Sequence, residues 1–217
     1  MPLFVVSPHL DDAALSCGEL LSTVEGSTVL TVFAGVPKST TILTKWDCDC
    51  GFRAADDVMG IRREEDRRAL SHLRSAPRWL DLLDCQYTDE PVAPSEISSL
   101  LARELEGKDV GALAFPLGLQ HFDHNRVHLA CLELLETRRE LARRWVLFAD
   151  VPYRAAHGRQ ASQRVRSLRQ KGFKVQPLLF AGSPETKARA IAEYRSQLWA
   201  LPELSDARLP EECFLVT

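Results

Sequence analysis

The chain has 217 residues, a formal net charge of −3 at pH 7, 45% apolar residues and 26% charged residues. The length predicts a single domain over residues 1–217 with a sizeable core, and the composition favours neither disorder nor a fibrous class. No sustained basic block supports nucleic acid as a partner, and no apolar run approaches the roughly 20 residues of a membrane span.

The expected compartment follows from the N-terminal residues and the cysteines. The N-terminal residues lack the basic and apolar regions of a signal peptide, and the six cysteines are scattered over a chain too large to need disulfides. We therefore expect a cytoplasmic protein with reduced thiols that binds an uncharged or mildly anionic small molecule. The oligomeric state is left open by the sequence, and a homo-oligomer is compatible with it.

The first elements are predicted to form a strand–helix–strand unit. Residues 3–6 are an apolar, β-branched run that predicts a buried strand, residues 14–24 carry apolar side chains at helical spacing, and residues 29–33 predict a second buried strand. Such a crossover between parallel strands is right-handed in nearly all proteins. The turn after the first strand is therefore expected at the edge of the sheet where α/β proteins bind ligands.

A long irregular segment follows from residue 34 to residue 53. It loses hydrophobic periodicity and contains glycine, proline and a Ser-Thr-Thr run. Connections of this length are uncommon in compact domains, so the segment is either a lid or binding loop at the edge of an active site, or a disordered insertion. Cys48 and Cys50 form a Cys-x-Cys pair in this segment, which without a second pair is weak evidence for zinc and is typical of an ordinary loop.

The rest of the chain continues to alternate helices and strands. Ser95 is expected to cap one of the helices, and Asp84 to follow the third strand directly. Helices are predicted at 56–73, 95–105, 125–143, about 160–169 and 184–201, strands at 79–83, 110–115, 145–149, 173–175 and 213–216, and a loop at 150–159. This alternation predicts a doubly wound, mostly parallel sheet with the strand order 3-2-1-4-5 and further edge strands from the C-terminal part.

Two clusters of acidic and histidine side chains follow the first and the fourth predicted strands. Since these strands are neighbours in the predicted order, their carboxyl ends flank the crevice of the sheet, and the two clusters are expected to converge there. The first cluster is His9, Asp11 and Asp12, and the second is His121, Asp123 and His124.

The residue types in the two clusters are those of a zinc site. A catalytic zinc takes three protein ligands and leaves one position for water, so six candidate groups leave spares for proton transfer and for orienting a histidine. The alternative is that His9 caps a turn, Asp12 is a helix N-cap and His124 merely precedes a helix. His128, four residues after His124, is expected to be a packing residue or to support a ligand, and the absence of a glycine-rich loop argues against a nicotinamide cofactor.

Two stretches of the sequence resemble the LmbE-like or PIG-L-like N-acetylglucosamine deacetylases. The first is residues 7–18, which include His-Leu-Asp-Asp, and the second is residues 121–124, His-Phe-Asp-His. Weaker matches are Arg62 and Glu65 in the helix predicted at 56–73, and residues 187–198. Together these matches span most of the chain, and the first two carry most of the specificity.

The resemblance implies a Rossmann-like three-layer α/β fold and a metal-dependent hydrolase. It implies that His9, Asp12 and His124 hold the metal, which is expected to be Zn²⁺, with Fe²⁺ or another divalent ion as the alternative. In such a site Asp11 would be the general base. His121 would stabilise or protonate the tetrahedral intermediate.

The resemblance also implies roles for three further residues. Asp123 would orient His121, and Arg62 or Asp84 would contact the substrate. Leu10 and Phe122 stand where the family often has proline, so we expect the two motif turns to be held by other contacts.

The resulting hypothesis is metal-assisted hydrolysis of the N-acetyl group of a small-molecule amino-sugar substrate. Two alternatives stay open at this point. One is hydrolysis of another amide, such as a thiol conjugate, and the other is a non-catalytic carbohydrate-binding module on the same fold. The intact Asp11 argues against the module, because a binding protein has no need of a general base.

Overall fold

The centre of the fold is a mostly parallel β-sheet. The computed structural model describes residues 2–38, 43–200 and 210–217, with the side chains of all of these except residues 152 and 154–157. Within these ranges seven strands form one sheet in the order β3-β2-β1-β4-β5-β7-β6. The strands are β1 (Leu3–Ser7), β2 (Ser27–Thr31), β3 (Ser75–Trp79), β4 (Ala112–Pro116), β5 (Trp145–Phe148), β6 (Val175–Pro177) and β7 (Cys213–Val216). The predicted order 3-2-1-4-5 is confirmed, and β7 adds antiparallel to both β5 and β6.

Helices cover both faces of the sheet and complete the three layers. They are α1 (Asp12–Ser22), α2 (Lys45–Asp49), α3 (Val58–His72), α4 (Pro94–Leu105), α5 (Phe122–Thr137), α6 (Val151–Gln170), α7 (Pro184–Ile191) and α8 (Arg195–Ala200). Short 3₁₀ helices lie at Cys85–Tyr87 and Arg139–Leu141. Among the helices in the described part of the chain, none has the length and apolar character that crossing a membrane requires.

Alternating side chains of the central strands feed two separate cores. Phe4 and Val6 of β1 pack with residues of α4, α5 and α6, whereas Leu3 and Val5 pack with residues of α1, α3 and α7. This division follows from the period of two in a strand, which sends successive side chains to opposite faces. Burial on both faces explains why the strand sequences are almost continuously apolar.

The third strand lies four residues earlier than predicted. It covers Ser75–Trp79, and Pro77 pairs with Val29 of β2 inside it. Proline is tolerated there because β3 is an edge strand and bonds to β2 alone, so a missing N–H on the outer side costs nothing. The predicted range 79–83 is therefore wrong, and Asp84 is not at the end of the strand but at the start of the 3₁₀ helix.

Three helix predictions are also corrected. The predicted loop at 150–159 belongs to α6, whose first turn contains a proline at a position where helices need no N–H donor. The predicted helix at 184–201 is split into α7 and α8, with residue 201 outside the described residues. Ser95 does not cap α4, because Ala93 is the N-cap and Pro94 opens the helix.

Helix α5 begins at Phe122 and ends at Thr137, where the sequence predicted 125–143. Its N-cap is His121, whose Nδ1 accepts a hydrogen bond from the backbone N–H of Asp123 at 3.2 Å. An imidazole is not among the usual capping side chains, so the sequence pattern misplaced this boundary. The consequence is that the second histidine motif starts the helix and its side chains have fixed directions.

Candidate metal centre

The two motif loops converge on the carboxylate of Asp12. Its Oδ2 atom lies 3.2 Å from Nδ1 of His9 and 3.1 Å from Nε2 of His124. The His9 and His124 rings have their centroids 5.2 Å apart. The two clusters that follow β1 and β4 therefore meet, as the predicted strand order implies. His9 and Asp123, for example, are 114 positions apart in the sequence and have side-chain atoms 3.3 Å apart.

The turn that carries His9 is fixed by the side chain of Ser7. Ser7 Oγ donates to the carbonyl oxygen of His9 at 2.6 Å and accepts from the N–H of Ala13 at 3.1 Å. The N–H of His9 in turn donates to Asp12 Oδ2 at 2.9 Å. These bonds hold the turn even though Leu10 stands where the family often has proline.

The far nitrogen of each histidine also faces a carboxylate. His124 Nδ1 lies 2.5 Å from Asp150 Oδ1, and both residues are buried. His9 Nε2 lies 3.3 Å from Asp123 Oδ2 and 3.8 Å from Asp84 Oδ2. A carboxylate behind the imidazole is the usual way in which proteins fix the tautomer and direction of a metal-binding histidine.

The donor set fits a divalent cation such as zinc. His124 Nε2 is buried and faces Asp12 Oδ2 at 3.1 Å. Because these two buried groups and His9 converge on one place, they are suited to share a cation. A ligand set of two imidazoles and one carboxylate is typical of catalytic zinc sites.

Charge coupling in this cluster is strong. Burial by itself would lower the pKa of His124, but the carboxylates of Asp12 and Asp150 outweigh it and raise the pKa to about 9. Burial would likewise raise the pKa of Asp12, but the charges and hydrogen bonds of His124 and His9 hold it far below its usual range. Asp12 is thus a permanent carboxylate, as a metal ligand must be.

Asp11 differs from its neighbour Asp12. Asp11 is the N-cap residue of α1, but its side chain makes no capping hydrogen bond, and it lines a cavity beside the cluster. Burial first, and then the negative charge of Asp12, raises the pKa of Asp11 to about 6. A carboxylate with such a pKa can take up and release a proton near neutral pH.

His121 lies in the same cavity with its ring 4.9 Å from that of His9. Burial, together with the charges of His9 and His124, lowers the pKa of His121 to about 4. Because Nδ1 accepts the N–H of Asp123, the proton of the neutral ring sits on Nε2. His121 is therefore a hydrogen-bond donor to the cavity and not an imidazolium at neutral pH.

The hydrogen bonds of the Asp123 carboxylate go to groups other than His121. Asp123 is fully buried, and Oδ2 accepts from the N–H of Cys85 at 3.0 Å and lies against His9 Nε2, while Oδ1 accepts from Arg126 at 3.2 Å. The hydrogen bond between Asp123 and His121 runs from the backbone N–H of Asp123 to Nδ1 of His121. We therefore propose that the carboxylate supports His9, and its expected role in orienting His121 stays a prediction.

The cavity beside the cluster has a volume of about 520 Å³. The two motif loops form part of its lining. The rest of the lining includes Trp46, Met59, Gln86, Tyr153 and Gln197. The volume is in the range that holds drug-sized ligands.

The two expected substrate contacts, Arg62 and Asp84, both line this cavity. The guanidinium of Arg62 is nevertheless engaged elsewhere, because Nη1 lies 3.1 Å from Asp47 Oδ1 and donates to Tyr87 Oη at 3.2 Å. Asp84 accepts from both the backbone and the side chain of Gln86, at 3.0 and 2.8 Å. Arg62 therefore holds the wall, and Asp84 keeps one face towards His9.

The sequence reasoning missed Asp150 and Trp46. Asp150 lies two residues after the end of β5, at the same edge of the sheet as the two motifs, so its position after a strand could have indicated it. Trp46 lies in the irregular segment, and no periodic pattern marks it. The described part of that segment contains α2 and forms a wall of the cavity, with residues 39–42 outside the described residues.

Comparisons with known proteins identify the family of the chain. Residues 4–135 match a family described as PIG-L, GlcNAc-PI de-N-acetylase. No curated protein sequence matches.

Several solved structures share the fold. A triple mutant of a deacetylase (Orf2*T) in the teicoplanin biosynthetic pathway is 25% identical with a TM-score of 0.79, over 100% of this chain and 98% of that chain. The A40926 pseudoaglycone deacetylase Dbv21 is 24% identical with a TM-score of 0.79, over 99% and 96%. The N,N'-diacetylchitobiose deacetylase from Pyrococcus horikoshii is 15% identical with a TM-score of 0.57, over 100% and 83%.

Proposed function

Because the chain belongs to the PIG-L family of metal-dependent GlcNAc-PI de-N-acetylases, we propose that it hydrolyses the N-acetyl group of an N-acetylglucosamine-type amino-sugar derivative. The observation that carries the proposal is the geometry around Asp12. Its carboxylate lies between His9 and His124, while Asp11 and His121 line the cavity beside them. The products are acetate and a free amine.

The metal would be held by His9, Asp12 and His124. We propose Zn²⁺ as this ion, because two imidazoles and one carboxylate match its preferred ligands. When bound, such an ion supplies Lewis acidity and lowers the pKa of water. Asp123 and Asp150 would keep the two imidazole rings in the direction that binding needs.

Asp11 is assigned the proton transfers. As a carboxylate it takes a proton from the water whose oxygen attacks the acetamide carbon, and the new C–O bond gives a tetrahedral intermediate. When the C–N bond breaks, the same carboxyl group returns the proton to the leaving nitrogen. A pKa of about 6 suits both directions of this transfer.

His121 is assigned the stabilisation of the oxyanion. The neutral ring presents its Nε2–H to the cavity, held there by the bond from the N–H of Asp123 to Nδ1. A fixed donor of this kind stabilises the charge that develops on the carbonyl oxygen more than it stabilises the neutral substrate. Of the two roles implied by the resemblance, stabilising or protonating the intermediate, we therefore propose stabilisation, by a neutral ring.

An amino sugar suits the remaining lining. Tyr153 and Gln197 offer hydrogen-bonding groups for the hydroxyls of a sugar. The solved structures that share this fold include deacetylases named for teicoplanin, A40926 pseudoaglycone and diacetylchitobiose. Their names support the proposal that the substrate is an amino sugar.

The proposal is tested by amine release from a panel of N-acetylglucosamine derivatives after chelation and reloading with Zn²⁺ or Fe²⁺. We expect release that is lost on chelation, restored by reloading, and absent from a His124→Ala variant. A protein that binds zinc but releases no amine from any member of the panel would contradict the proposal. Release from non-sugar acetamides alone would point to a different amide as the substrate.

A further inference from the structure

The short helix α2 reaches the cavity from a segment outside the sheet. It has five residues, Lys45–Asp49, and a helix of this length is not stable by itself in water. Its position must therefore come from tertiary contacts. We infer that α2 is a specificity element, on which Trp46 binds an apolar aglycone attached to the amino sugar. This inference rests on the function proposed above.

The contacts that fix α2 meet at the carboxylate of Asp47, which is 1% exposed. Within α2, the N–H of Asp47 donates to Thr44 Oγ1 at 3.0 Å and the N–H of Thr44 donates to Asp47 Oδ2 at 3.1 Å, which is a capping box. From outside, Tyr87 Oη donates to Asp47 Oδ1 at 2.8 Å, and Arg62 Nη1 lies 3.1 Å from the same oxygen. We call Thr44, Asp47, Arg62 and Tyr87 the Asp47 cluster.

The Asp47 cluster joins three elements around one buried charge. Arg62 comes from α3 and Tyr87 from the 3₁₀ helix that follows Asp84. Thr44 also donates to Gln86 Oε1 at 2.6 Å, which ties the start of α2 to the same 3₁₀ helix. The buried ion pair of Asp47 and Arg62, with its hydrogen bonds, fixes the position of α2. A different position of the helix would leave a buried charge without partners.

The residue presented by this cluster is Trp46. Its side chain lines the cavity and is half-buried, so one part of the indole stays open to a ligand. Met59, which is 4% exposed, lines the same cavity. We call Trp46 and Met59 the apolar wall of the cavity, whose lining also contains the histidines and carboxylates of the two motifs.

The size of the cavity decides what the apolar wall contacts. An acetamide held at the metal end places one sugar ring next to it, and about 520 Å³ is more space than one N-acetylhexosamine fills. A group joined to the sugar would fill the space left over and contact Trp46 and Met59. A flat apolar group joined to the sugar would bury its face on the indole, and such stacking contributes beyond the buried area alone.

The chain offers a matched control in Trp199. This tryptophan is 76% exposed. Its indole lies beside Gly51, in the turn after α2. Trp199 is not among the residues that line the cavity. If the apolar wall binds the aglycone, replacing Trp46 by alanine should reduce the preference for a substrate with an apolar aglycone. The same replacement at Trp199 should not.

The experiment compares 4-nitrophenyl N-acetyl-β-glucosaminide with methyl N-acetyl-β-glucosaminide, using amine release by the zinc-loaded protein. We expect Trp46→Ala to raise KM for the aryl glycoside about tenfold, while kcat and the kinetics of the methyl glycoside change less than twofold. Trp46→Phe should keep most of the preference, Trp199→Ala should keep all of it, and Asp47→Asn should raise KM for the aryl glycoside alone.

Equal losses on both glycosides, or a shift with Trp199→Ala as large as with Trp46→Ala, would overturn the inference. Binding is measured in parallel by calorimetry with the same two glycosides. One result would separate the two proposals: neither glycoside is deacetylated, but the aryl glycoside binds about tenfold more weakly to Trp46→Ala than to the parent protein. In that case the aglycone site stands and the proposed deacetylation fails. Equal binding of the aryl glycoside to both proteins would reject the aglycone site.

Discussion

Asp150 Oδ1 lies 2.5 Å from Nδ1 of His124, with both side chains buried. The other oxygen of Asp150 accepts the N–H of Leu119 at 3.1 Å, so the carboxylate cannot turn away. Nε2 of His124 is thereby aimed at Asp12. The metal site is supported from behind by a residue that belongs to neither sequence motif.

Asp150→Asn is expected to weaken zinc binding by about 10- to 100-fold. The amide is uncharged and can turn its N–H₂ group towards the imidazole, so it no longer fixes the proton of His124 on Nδ1. Competition with a zinc chelator of known affinity measures the change. Asp109→Asn is the control, since Asp109 is exposed and pairs with Arg143. Unchanged zinc affinity in Asp150→Asn would show that packing alone orients His124.

Asp11→Asn and Asp12→Asn are expected to fail in different ways, although the residues are adjacent. Asp11→Asn should keep its zinc and lose about 10²- to 10⁴-fold in kcat, because it removes the proton acceptor and nothing that binds the ion. Asp12→Asn should lose the zinc itself. Metal content and amine release, measured on the same preparations, separate the two outcomes, and zinc loss from Asp11→Asn would contradict the assignment.

His121→Ala is expected to lower kcat by about 10²- to 10³-fold with zinc retained, since it removes a donor to the developing oxyanion. His121→Gln keeps an N–H donor at a similar distance and should recover part of this loss. KM should change little in both variants. A His121→Ala protein that loses its zinc would instead make His121 a metal ligand, as its distance to His9 and His124 would allow.

His128 is expected to make the fold sensitive to acid. It is buried, its Nδ1 lies 3.0 Å from the carbonyl oxygen of Pro116, and its ring stacks on Phe115. Burial, helped by the charge of Arg164, lowers the pKa of His128 from 6.5 to about 4. The unfolded chain therefore takes up the proton first, so this contribution to stability is complete above about pH 6.5 and is lost as the pH falls towards 4.

His128→Asn keeps a donor for the Pro116 carbonyl but cannot be protonated. Between pH 7 and pH 4, the free energy of unfolding should fall by roughly 3 kcal/mol less in this variant than in the parent protein. Denaturant titrations over this pH range measure the difference. His72→Asn is the control because His72 is partly exposed and contacts Glu193 at the surface. Parallel pH curves for the parent protein and His128→Asn would refute the prediction.

Lys187 and Glu211 form an ion pair at 3.0 Å with both side chains 1% exposed. Lys187→Met is expected to cost about 3–5 kcal/mol of stability, because Glu211 would remain as a buried charge without its cation. The double variant Lys187→Met with Glu211→Gln should recover a large part of this loss. Lys45→Met, at an exposed pair with Asp49, should cost less than about 1 kcal/mol. Thermal or urea unfolding distinguishes these cases.

The sequence predicts the parts of this protein that depend on strand ends. His9 and His124 meet because parallel neighbours β1 and β4 end at the same edge, and the alternation of elements is enough to predict that. The sequence does not predict that the Asp123 carboxylate faces His9, because the direction of that side chain depends on where α5 starts. Pro77 shows a second limit, since whether a strand is at the edge of a sheet is a property of the whole fold.

The wall of the cavity is beyond sequence reasoning for a different reason. The five residues of α2 have no periodic pattern long enough to indicate a helix, and its stability comes from Arg62 and Tyr87, which are distant in the chain. Only the assembled fold brings them to Asp47. Local sequence therefore predicts the chemistry at the metal end better than it predicts the shape of the opposite wall.

The Asp47 cluster has a consequence for how such an enzyme could be redesigned. Segment 43–53 is attached to the rest of the protein by side-chain contacts and lies outside the hydrogen-bonding ladder of the sheet. Exchanging this segment for one of different length or composition would leave the strand register and the metal ligands untouched. Grafting of this kind, with Arg62 and Tyr87 retained as anchor points, offers a route to new acceptor preferences without rebuilding the catalytic chemistry.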